Sequence, residues 1–186
     1  MRIITGDLKG RRLYSPIDNK IRPTSDKVKE SIFNMIAEYT EDAIVIDLFC
    51  GTGNMGLEAI SRGARRVYFI DKARESILLT KKNIAHCKSE DKAILIGADY
   101  ERGLTAIKEK VDLVFLDPPY KAGYLEDCIR RIDKASLLAP RGILVCEHSS
   151  EERLPDRIES MVKLKEKRYG KSIVDLYWHN QEDNES

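Results

Sequence analysis

Five short apolar runs, rich in Ile, Val and Leu, recur along the chain with helical stretches between them. The runs are AIVID (43–47), RVYFID (66–71), AILIGAD (93–99), DLVFLD (112–117) and GILVCEH (142–148). Because they do not alternate cleanly between apolar and polar residues, they are typical of strands buried on both faces of a parallel sheet. Strands that alternate with helices indicate an α/β fold with a doubly wound sheet.

The stretches between the runs have the period of helices. Residues 54–62 and 73–86 fit helices, and Thr24 or Ser25 can cap a further helix near the start. Between the fourth and fifth runs, one helical face is apolar, formed by Leu125, Cys128, Ile129 and Ile132.

Both ends of the chain depart from this alternation. Residues 1–22 predict short strands with turns, too little chain for a separate core, so we expect a β-hairpin that packs on the main domain. The segment from Val162, the turn at Tyr169-Gly170 and the run SIVDLYWH predict a C-terminal antiparallel hairpin. The predicted division is an N-terminal extension (1–23), a main domain (24–180) and an acidic, disordered tail (181–186).

The composition is that of an ordinary globular protein. Of 186 residues, 42% are hydrophobic and 34% are charged. No apolar run approaches the ~18 residues of a membrane span, and the N-terminus has no signal-peptide core, so we expect a cytoplasmic protein. The cysteines form no C-x-x-C pair and no zinc spacing, which predicts reduced thiols and no metal site.

The net charge of +1 hides an uneven distribution of basic residues. Residues 1–31 contain eight basic side chains against four acidic ones. The basic side chains are those of Arg2, Lys9, Arg11, Arg12, Lys20, Arg22, Lys27 and Lys29. A basic end on a neutral body is typical of a nucleic-acid contact, and a solvated polar face is the alternative.

A glycine-rich loop follows the first apolar run. Gly51, Gly53 and Gly56 spell G-x-G-x-x-G between a strand and a helix. Asp71 lies twenty positions after Gly51, at the end of the second run. Glycines allow a tight turn close to a ligand, and the acid can accept both ribose hydroxyls of an adenosine. The pattern predicts a nucleoside cofactor; a tight turn with a solvated aspartate is the alternative.

Asp47 and Phe49 indicate which cofactor suits the loop. A carboxylate would repel a pyrophosphate, so Asp47 disfavours a dinucleotide. S-adenosylmethionine carries a sulfonium and an ammonium, which a carboxylate favours. After the third run, Asp99 is placed to accept from the adenine amino group with Tyr100 beside it, and a helix N-cap is the alternative role of Asp99.

The tetrapeptide Asp117-Pro118-Pro119-Tyr120 ends the fourth run, at the sheet edge where open α/β sheets bind ligands. The prolines fix φ and hold the chain extended. An Asp117 oxygen and the Pro118 carbonyl can then face one amino group, while Tyr120 offers its ring to a base. Two acceptors on its hydrogens free the lone pair of a conjugated amine, so the motif predicts an enzyme that modifies an exocyclic amine. A rigid turn is the alternative.

These motifs together resemble a known family. DLFCGTGNMGLEAISRGA, RPTSDKVKESIFN and FLDPPY are similar to the bacterial 16S ribosomal RNA guanine-N2 methyltransferases (small-subunit methyltransferase D type), and the resemblance extends from Arg2 to Trp178. It implies a Rossmann-like class I methyltransferase fold, whose seven-stranded, mostly parallel sheet has one antiparallel strand. It also implies methyl transfer from S-adenosylmethionine to the N2 amine of a guanine in 16S rRNA, free or within the small ribosomal subunit.

The motifs and the resemblance together predict three groups of site residues. The catalytic group is Asp117, Pro118, Pro119 and Tyr120. The cofactor-binding group is Thr24, Asp47, Phe49, Gly51, Gly53, Asp71, Lys72, Asp99, Tyr100 and Asp117. The group expected to hold RNA is Lys9, Arg11, Arg12 and Arg22. We expect a monomer with 16S rRNA as partner, and no metal or membrane contact.

Other functions remain as alternatives. A DNA adenine methyltransferase shares the Asp-Pro-Pro-Tyr motif but normally carries a separate target-recognition region, for which this chain has no room. An NAD-binding oxidoreductase explains the glycines and Asp71 but not Asp-Pro-Pro-Tyr. A non-catalytic RNA-binding protein on the same fold needs neither motif intact. Two further residues have plain interpretations, His148 as a loop histidine and Trp178 as core.

Overall fold

The structure of the protein, a computed structural model, describes residues 1–16, 25–119 and 123–179. Three of the predicted site residues, Arg22, Thr24 and Tyr120, lie outside these ranges, as does the acidic tail. Within the ranges, no helix is both long enough and apolar enough to cross a membrane.

The predicted apolar runs form strands of one sheet. Its strands are β1 (Ile44–Leu48), β2 (Arg66–Asp71), β3 (Ala93–Gly97), β4 (Val111–Leu116), β5 (Leu138–Ser149), β6 (Arg157–Ile158), β7 (Met161–Tyr169) and β8 (Ser172–His179). Strands β1 to β5 are the five runs, and β7 with β8 is the predicted C-terminal hairpin. Every residue of β1 is buried because both faces of the sheet are covered, with Val45 in one core cluster and Ile46 in the other.

Among the described residues, one helix precedes β1 and the others connect the parallel strands. The helices are α1 (Asp26–Met35), α2 (Asn54–Ser61), α3 (Arg74–Cys87), α4 (Tyr100–Ala106) and α5 (Tyr124–Lys134), with a 3-10 turn at Ala37–Tyr39. Ser25 is the N-cap of α1, and its hydroxyl accepts the Val28 N–H at 3.3 Å. The predicted apolar face of α5 is buried, which confirms the period read from the sequence.

The strand order is β3-β2-β1-β4-β5-β8-β7-β6. Strands β1 to β5 are parallel, and β8, β7 and β6 each run antiparallel to their neighbours. Seven of these strands make up the expected sheet. The additional strand β6 has two residues, too few to leave a period in the sequence. The winding direction reverses between β1 and β4, and open α/β sheets bind ligands at such a switch point.

Two plain interpretations were wrong. His148 lies inside β5, because this strand continues to Ser149, and its Nε2 is buried 3.0 Å from Asp175 Oδ2. Trp178 is 44% exposed, because the last two residues of β8 extend beyond the covered part of the sheet.

The N-terminal segment packs on the main domain. An antiparallel bridge joins Arg2 to Arg12. The side chains of Ile3 and Leu13 are buried in the core cluster that also contains Val45 of the sheet. Residues 1–16 therefore share the core of the main domain.

A buried ion pair attaches this segment to the helices. Lys29 Nζ lies 3.1 Å from Glu58 Oε2, and both side chains are fully buried. The same ammonium donates to the Arg2 carbonyl at 2.6 Å and to Asn54 Oδ1 at 2.7 Å, while Glu58 accepts the Ile4 N–H at 2.8 Å. Burial lowers the pKa of Lys29, against the opposing charge of Glu58. Lys29 is thus structural, and it does not belong to a nucleic-acid surface as its place among the basic residues suggested.

Candidate active site

The carboxyl ends of β1, β2, β4 and β5 border a cavity of about 600 Å³ at the switch point of the sheet. The predicted site residues that line it are Asp47, Phe49, Gly51, Asp71, Lys72, Asp99, Tyr100, Asp117, Pro118 and Pro119. Gly53 lies beside the cavity as the N-cap of α2. Residues predicted from separate parts of the chain therefore meet in one place.

The loop between β1 and α2 has a left-handed backbone at several positions. Phe49, Gly51 and Gly53 have φ angles of 64°, 55° and 76°. Glycine adopts this region without steric cost. A Cβ atom on Gly53 would also lie 2.9 Å from Thr80 Cγ2, so Gly53 is required for space as well as for conformation.

Two backbone N–H groups orient the Asp71 carboxylate at the end of β2. Its Oδ2 accepts the Gly51 N–H at 3.0 Å, and its Oδ1 accepts the Ala73 N–H at 2.9 Å. Asp71 is half-buried and lines the cavity. Because each carboxylate oxygen has further acceptor capacity, Asp71 can also accept two hydroxyl groups of a ligand.

Asp47 lies on β1 and is 4% exposed. Its Oδ2 accepts the Gly56 N–H at 2.9 Å. Burial raises the pKa of Asp47 to about 7, the hydrogen bond from Gly56 acts against this rise, and the charge of Asp71 adds to it. A cationic group beside Asp47 favours the ionised form, so this position suits a positively charged part of a ligand.

A second pair of carboxylates lies at the ends of β4 and β5. Leu116 pairs with Cys146 in the sheet, so Asp117 and Glu147 follow on neighbouring strands, and both line the cavity. Asp117 is an exposed residue that faces the cavity. Desolvation of its carboxyl group by the surrounding protein, and then the charges of Glu147 and Asp47, raise its pKa well above the usual range. This end of the cavity offers closely spaced acceptors for N–H groups.

Aromatic rings form one wall of the cavity. The ring centroids of Phe49 and Tyr100 are 5.8 Å apart, as are those of Tyr100 and Tyr124. Beside them, Asp99 lines the cavity while its Oδ1 accepts the Arg102 N–H at 2.9 Å. The N-cap role of Asp99, the alternative read from the sequence, is therefore real, and it uses one of the two carboxylate oxygens.

Among the described residues of the N-terminal segment, the basic side chains do not line the cavity. Arg11 Nη1 donates to the His86 carbonyl at 2.5 Å, in the last turn of α3. Helix α3 starts beside the cavity and runs about 20 Å back across the sheet, as its 14 residues require. Lys9 and Arg12 are exposed, and the cavity lining includes neither.

Several lining residues were missed by reasoning from the sequence. They are Met1, Ser25, Val28, Tyr124, Glu147, Tyr169 and Ser172. Glu147 could have been predicted from the rule that ligands bind at the carboxyl ends of parallel strands, because it is the next-to-last residue of the run GILVCEH. Tyr169 and Ser172 come from the turn between β7 and β8, whose closeness to the cavity depends on the tertiary fold.

A family profile described as Conserved hypothetical protein 95 matches residues 1–178. The chain is 38% identical over 180 residues to "Putative rRNA methyltransferase YlbH" of Bacillus subtilis, across 95% of this chain and 98% of that protein. It is 33% identical over 177 residues to "Ribosomal RNA small subunit methyltransferase D" of Escherichia coli, across 95% and 89%. The solved structure "Putative methyltransferase yhhF from Escherichia coli" has a TM-score of 0.86 and 32% identity, across 97% of this chain and 98% of that one.

The sheet order, together with the similarity to this solved methyltransferase structure, defines a class I methyltransferase. Within that class, the chain belongs to the family described as Conserved hypothetical protein 95. Its identity to the Escherichia coli protein also places it in the ribosomal RNA small subunit methyltransferase D family. The family resemblance and the fold class predicted from the motifs are both confirmed.

Proposed function

We propose that the protein transfers a methyl group from S-adenosylmethionine to the exocyclic N2 amine of a guanine in 16S ribosomal RNA. The main support for this proposal is that residues suited to bind the cofactor and residues suited to bind an amine line the same cavity. Oriented carboxylates suited to a cationic nucleoside lie at the β1–β2 end, and Asp117-Pro118 lies at the β4 end. The relatives named as rRNA methyltransferases support an RNA substrate.

The carboxylates at the β1–β2 end fit S-adenosylmethionine, which supplies a methyl group activated by a positively charged sulfur. Asp47 favours that positive charge and the ammonium of the cofactor. Asp71, already oriented by two N–H groups, accepts the ribose hydroxyls. Asp99 Oδ2, which lies 3.8 Å from Arg102 Nε, accepts the adenine amine beside the Tyr100 ring. The Asp47 carboxylate disfavours a pyrophosphate, which supports this cofactor over NAD.

The β4 end holds the amine. Asp117 and the Pro118 carbonyl accept the two amine hydrogens, which localises the nitrogen lone pair and directs it toward the methyl group. The raised pKa of Asp117 suits a proton acceptor, and the amine proton leaves to Asp117 or to water once the methyl group is attached. Because the amine of a paired guanine is out of reach, the base must be unstacked into the cavity, where we place the Tyr120 ring against it.

RNA phosphates contact the basic residues of the N-terminal segment in this proposal. These residues are Lys9, Arg11, Arg12 and Arg22. Since Arg11 lies at the far end of α3, its contact holds RNA roughly 20 Å from the start of that helix beside the cavity. Such contacts therefore affect RNA affinity and leave the chemical step unchanged.

Mass spectrometry of 16S rRNA tests the proposal directly. RNA from cells that lack the gene should have lost one N2-methylguanosine. The wild-type gene and Glu90→Gln, an exposed position in the turn before β3, should restore it, and Asp117→Ala should not. An unchanged set of methylated nucleotides, or tight binding of NAD without binding of S-adenosylhomocysteine, would show that the proposal is wrong.

A further inference from the structure

Glu147 is a cavity residue to which the proposed reaction has so far given no role. It lies near the carboxyl end of β5, one residue after Cys146, the partner of Leu116 on β4. Asp117 follows Leu116 in the same way. The two side chains therefore start from adjacent strands, and both line the cavity.

The strand register places these carboxylates side by side, because Leu116 pairs with Cys146. After desolvation, the charge of Glu147 is the next cause that raises the pKa of Asp117. Two neighbouring negative charges in a partly closed cavity repel each other, and N–H donors from a ligand relieve that repulsion. A ligand with two adjacent donor groups on one edge matches this pair best.

The donor pattern of the nucleobases distinguishes among candidate ligands. Guanine presents an N1–H directly beside its N2 amine, so both neighbouring groups donate hydrogen bonds. Adenine presents an unprotonated N1, an acceptor, beside its N6 amine. A carboxylate opposite position 1 of the base is therefore satisfied by guanine and is repelled by the adenine nitrogen.

We propose that Glu147 selects guanine by accepting its N1–H while Asp117 accepts the adjacent N2 amine. This inference rests on the proposed function and adds to it the residue that identifies the base. Glu147 takes no part in bond making, so it is a specificity residue. A site that hydrogen-bonds one partner rejects a close analogue because the buried group would otherwise lose its own partner.

Mass spectrometry first locates the nucleotide that is methylated in 16S rRNA. The test then uses RNA fragments that contain this position, with unmethylated guanine or 2-aminopurine as its base. 2-Aminopurine keeps the exocyclic 2-amine and lacks the N1–H. Methyl transfer is measured for the wild type, for Glu147→Gln and for the control Glu90→Gln. The affinity for each fragment is also measured in the presence of S-adenosylhomocysteine, by 2-aminopurine fluorescence and by competition with the guanine fragment. The ratio of the two affinities gives the preference for guanine without turnover.

The wild type and Glu90→Gln should prefer guanine about 10-fold or more, as expected for a specific base contact. Glu147→Gln should reduce the ratio to within about threefold, because an amide can donate to the unprotonated N1. Glu147→Asp, which keeps a carboxylate, should retain a preference for guanine. Binding of S-adenosylhomocysteine should stay within a few fold in all variants, which shows that they are folded.

A guanine preference that is unchanged in Glu147→Gln overturns the inference, as does a wild-type enzyme that methylates both fragments equally well. Either result leaves the proposed function standing, since methyl transfer still occurs. If the wild type transfers no methyl group to any 16S rRNA, free or in small subunits, the proposed function itself fails and this inference fails with it.

Discussion

The two ends of the cavity hold their carboxylates in different ways. At the β1–β2 end, Asp71 accepts two backbone N–H groups and Asp47 accepts one, so the protein itself orients these side chains. At the β4–β5 end, Asp117 follows β4 and Glu147 lies on the adjacent strand β5, and desolvation and then the charge of Glu147 raise the pKa of Asp117.

The difference shows how one cavity can serve two ligands. Carboxylates that are oriented in advance give affinity, because little freedom is lost when a cofactor binds. Crowded carboxylates gain most when a base brings its N–H donors, so they contribute mainly to substrate recognition and to the chemical step. Substitutions at the two ends should therefore affect different measurements.

The largest effect is expected from Asp117→Ala. Turnover should fall about 100-fold or more, the usual range for loss of a group that handles a proton in the transition state. Affinity for S-adenosylhomocysteine should stay within a few fold, because the partner of Asp117 is the guanine amine. Methyl-transfer rates at saturating cofactor and calorimetry check the two parts. Near-normal turnover would show that the role assigned to Asp117 is wrong.

Asp71→Ala should show the opposite pattern. Loss of charge-assisted hydrogen bonds to the ribose should weaken S-adenosylhomocysteine binding by ~1–3 kcal/mol, about 10- to 100-fold. Turnover at saturating cofactor should change much less. Glu75→Ala, an exposed acid in the first turn of α3, is the matched control. If the wild type and Asp71→Ala bound S-adenosylhomocysteine equally well, the assignment of the ribose hydroxyls to Asp71 would be wrong.

The pKa of about 7 at Asp47 makes cofactor binding depend on pH. As the pH rises from 5 to 8, Asp47 ionises, so the affinity for S-adenosylmethionine should rise by about 10-fold and level off above pH 7. Asp47→Asn keeps an acceptor for the Gly56 N–H and should bind weakly with a flat profile. Calorimetry across this range checks both, and a pH-dependent Asp47→Asn contradicts the assignment.

The same pKa predicts that the stability of the protein without cofactor falls as the pH rises, whereas its affinity for the cofactor rises. The folded-state pKa lies above the unfolded value of 3.8, so the protonated form favours folding, and that stabilisation is lost as the pH rises through about 7. At pH 8, Asp47→Asn should therefore unfold at a higher temperature than the wild type. An unfolding temperature of Asp47→Asn equal to or lower than that of the wild type would show that burying the ionised Asp47 does not destabilise the protein.

The smallest effect is expected outside the cavity. Replacing Arg11 and Arg12 by Gln should weaken RNA binding and flatten its salt dependence by about one unit of slope per lost phosphate contact. Cofactor affinity should not change. The matched comparison is Lys165→Gln with Lys167→Gln on β7, whose turn to β8 reaches the cavity. If only the Lys165 and Lys167 substitutions changed the salt dependence of RNA binding, the RNA-binding surface would lie on the β7–β8 hairpin.

Much of the fold follows from local signals in the sequence. The bounds of β2 agree with the predicted run at both ends, and α5 buries the predicted face. Strand β6 could not be predicted, because two residues carry no period. Within the site, Asp47, Asp71 and Asp117 follow from the rule that ligands bind at the carboxyl ends of parallel strands.

The residues that escaped prediction are those whose positions depend on tertiary packing. Tyr169 reaches the cavity because the β7–β8 hairpin folds back beside β5. Arg11 was grouped with RNA-binding residues from its charge, its place in the N-terminal hairpin and the family resemblance, and only the fold shows that its guanidinium lies at the far end of α3. Charge and local period give no distance between segments remote in sequence.

The central claim is that one end of the cavity holds the cofactor and the other holds the base. A crystal structure of the protein with S-adenosylhomocysteine tests it most directly. The account predicts ribose hydroxyls within about 3.2 Å of the Asp71 carboxylate, the ligand's ammonium beside Asp47, and its sulfur facing Asp117-Pro118. A nucleoside seated at Asp117 and Glu147, or bound outside the cavity, would contradict the claim.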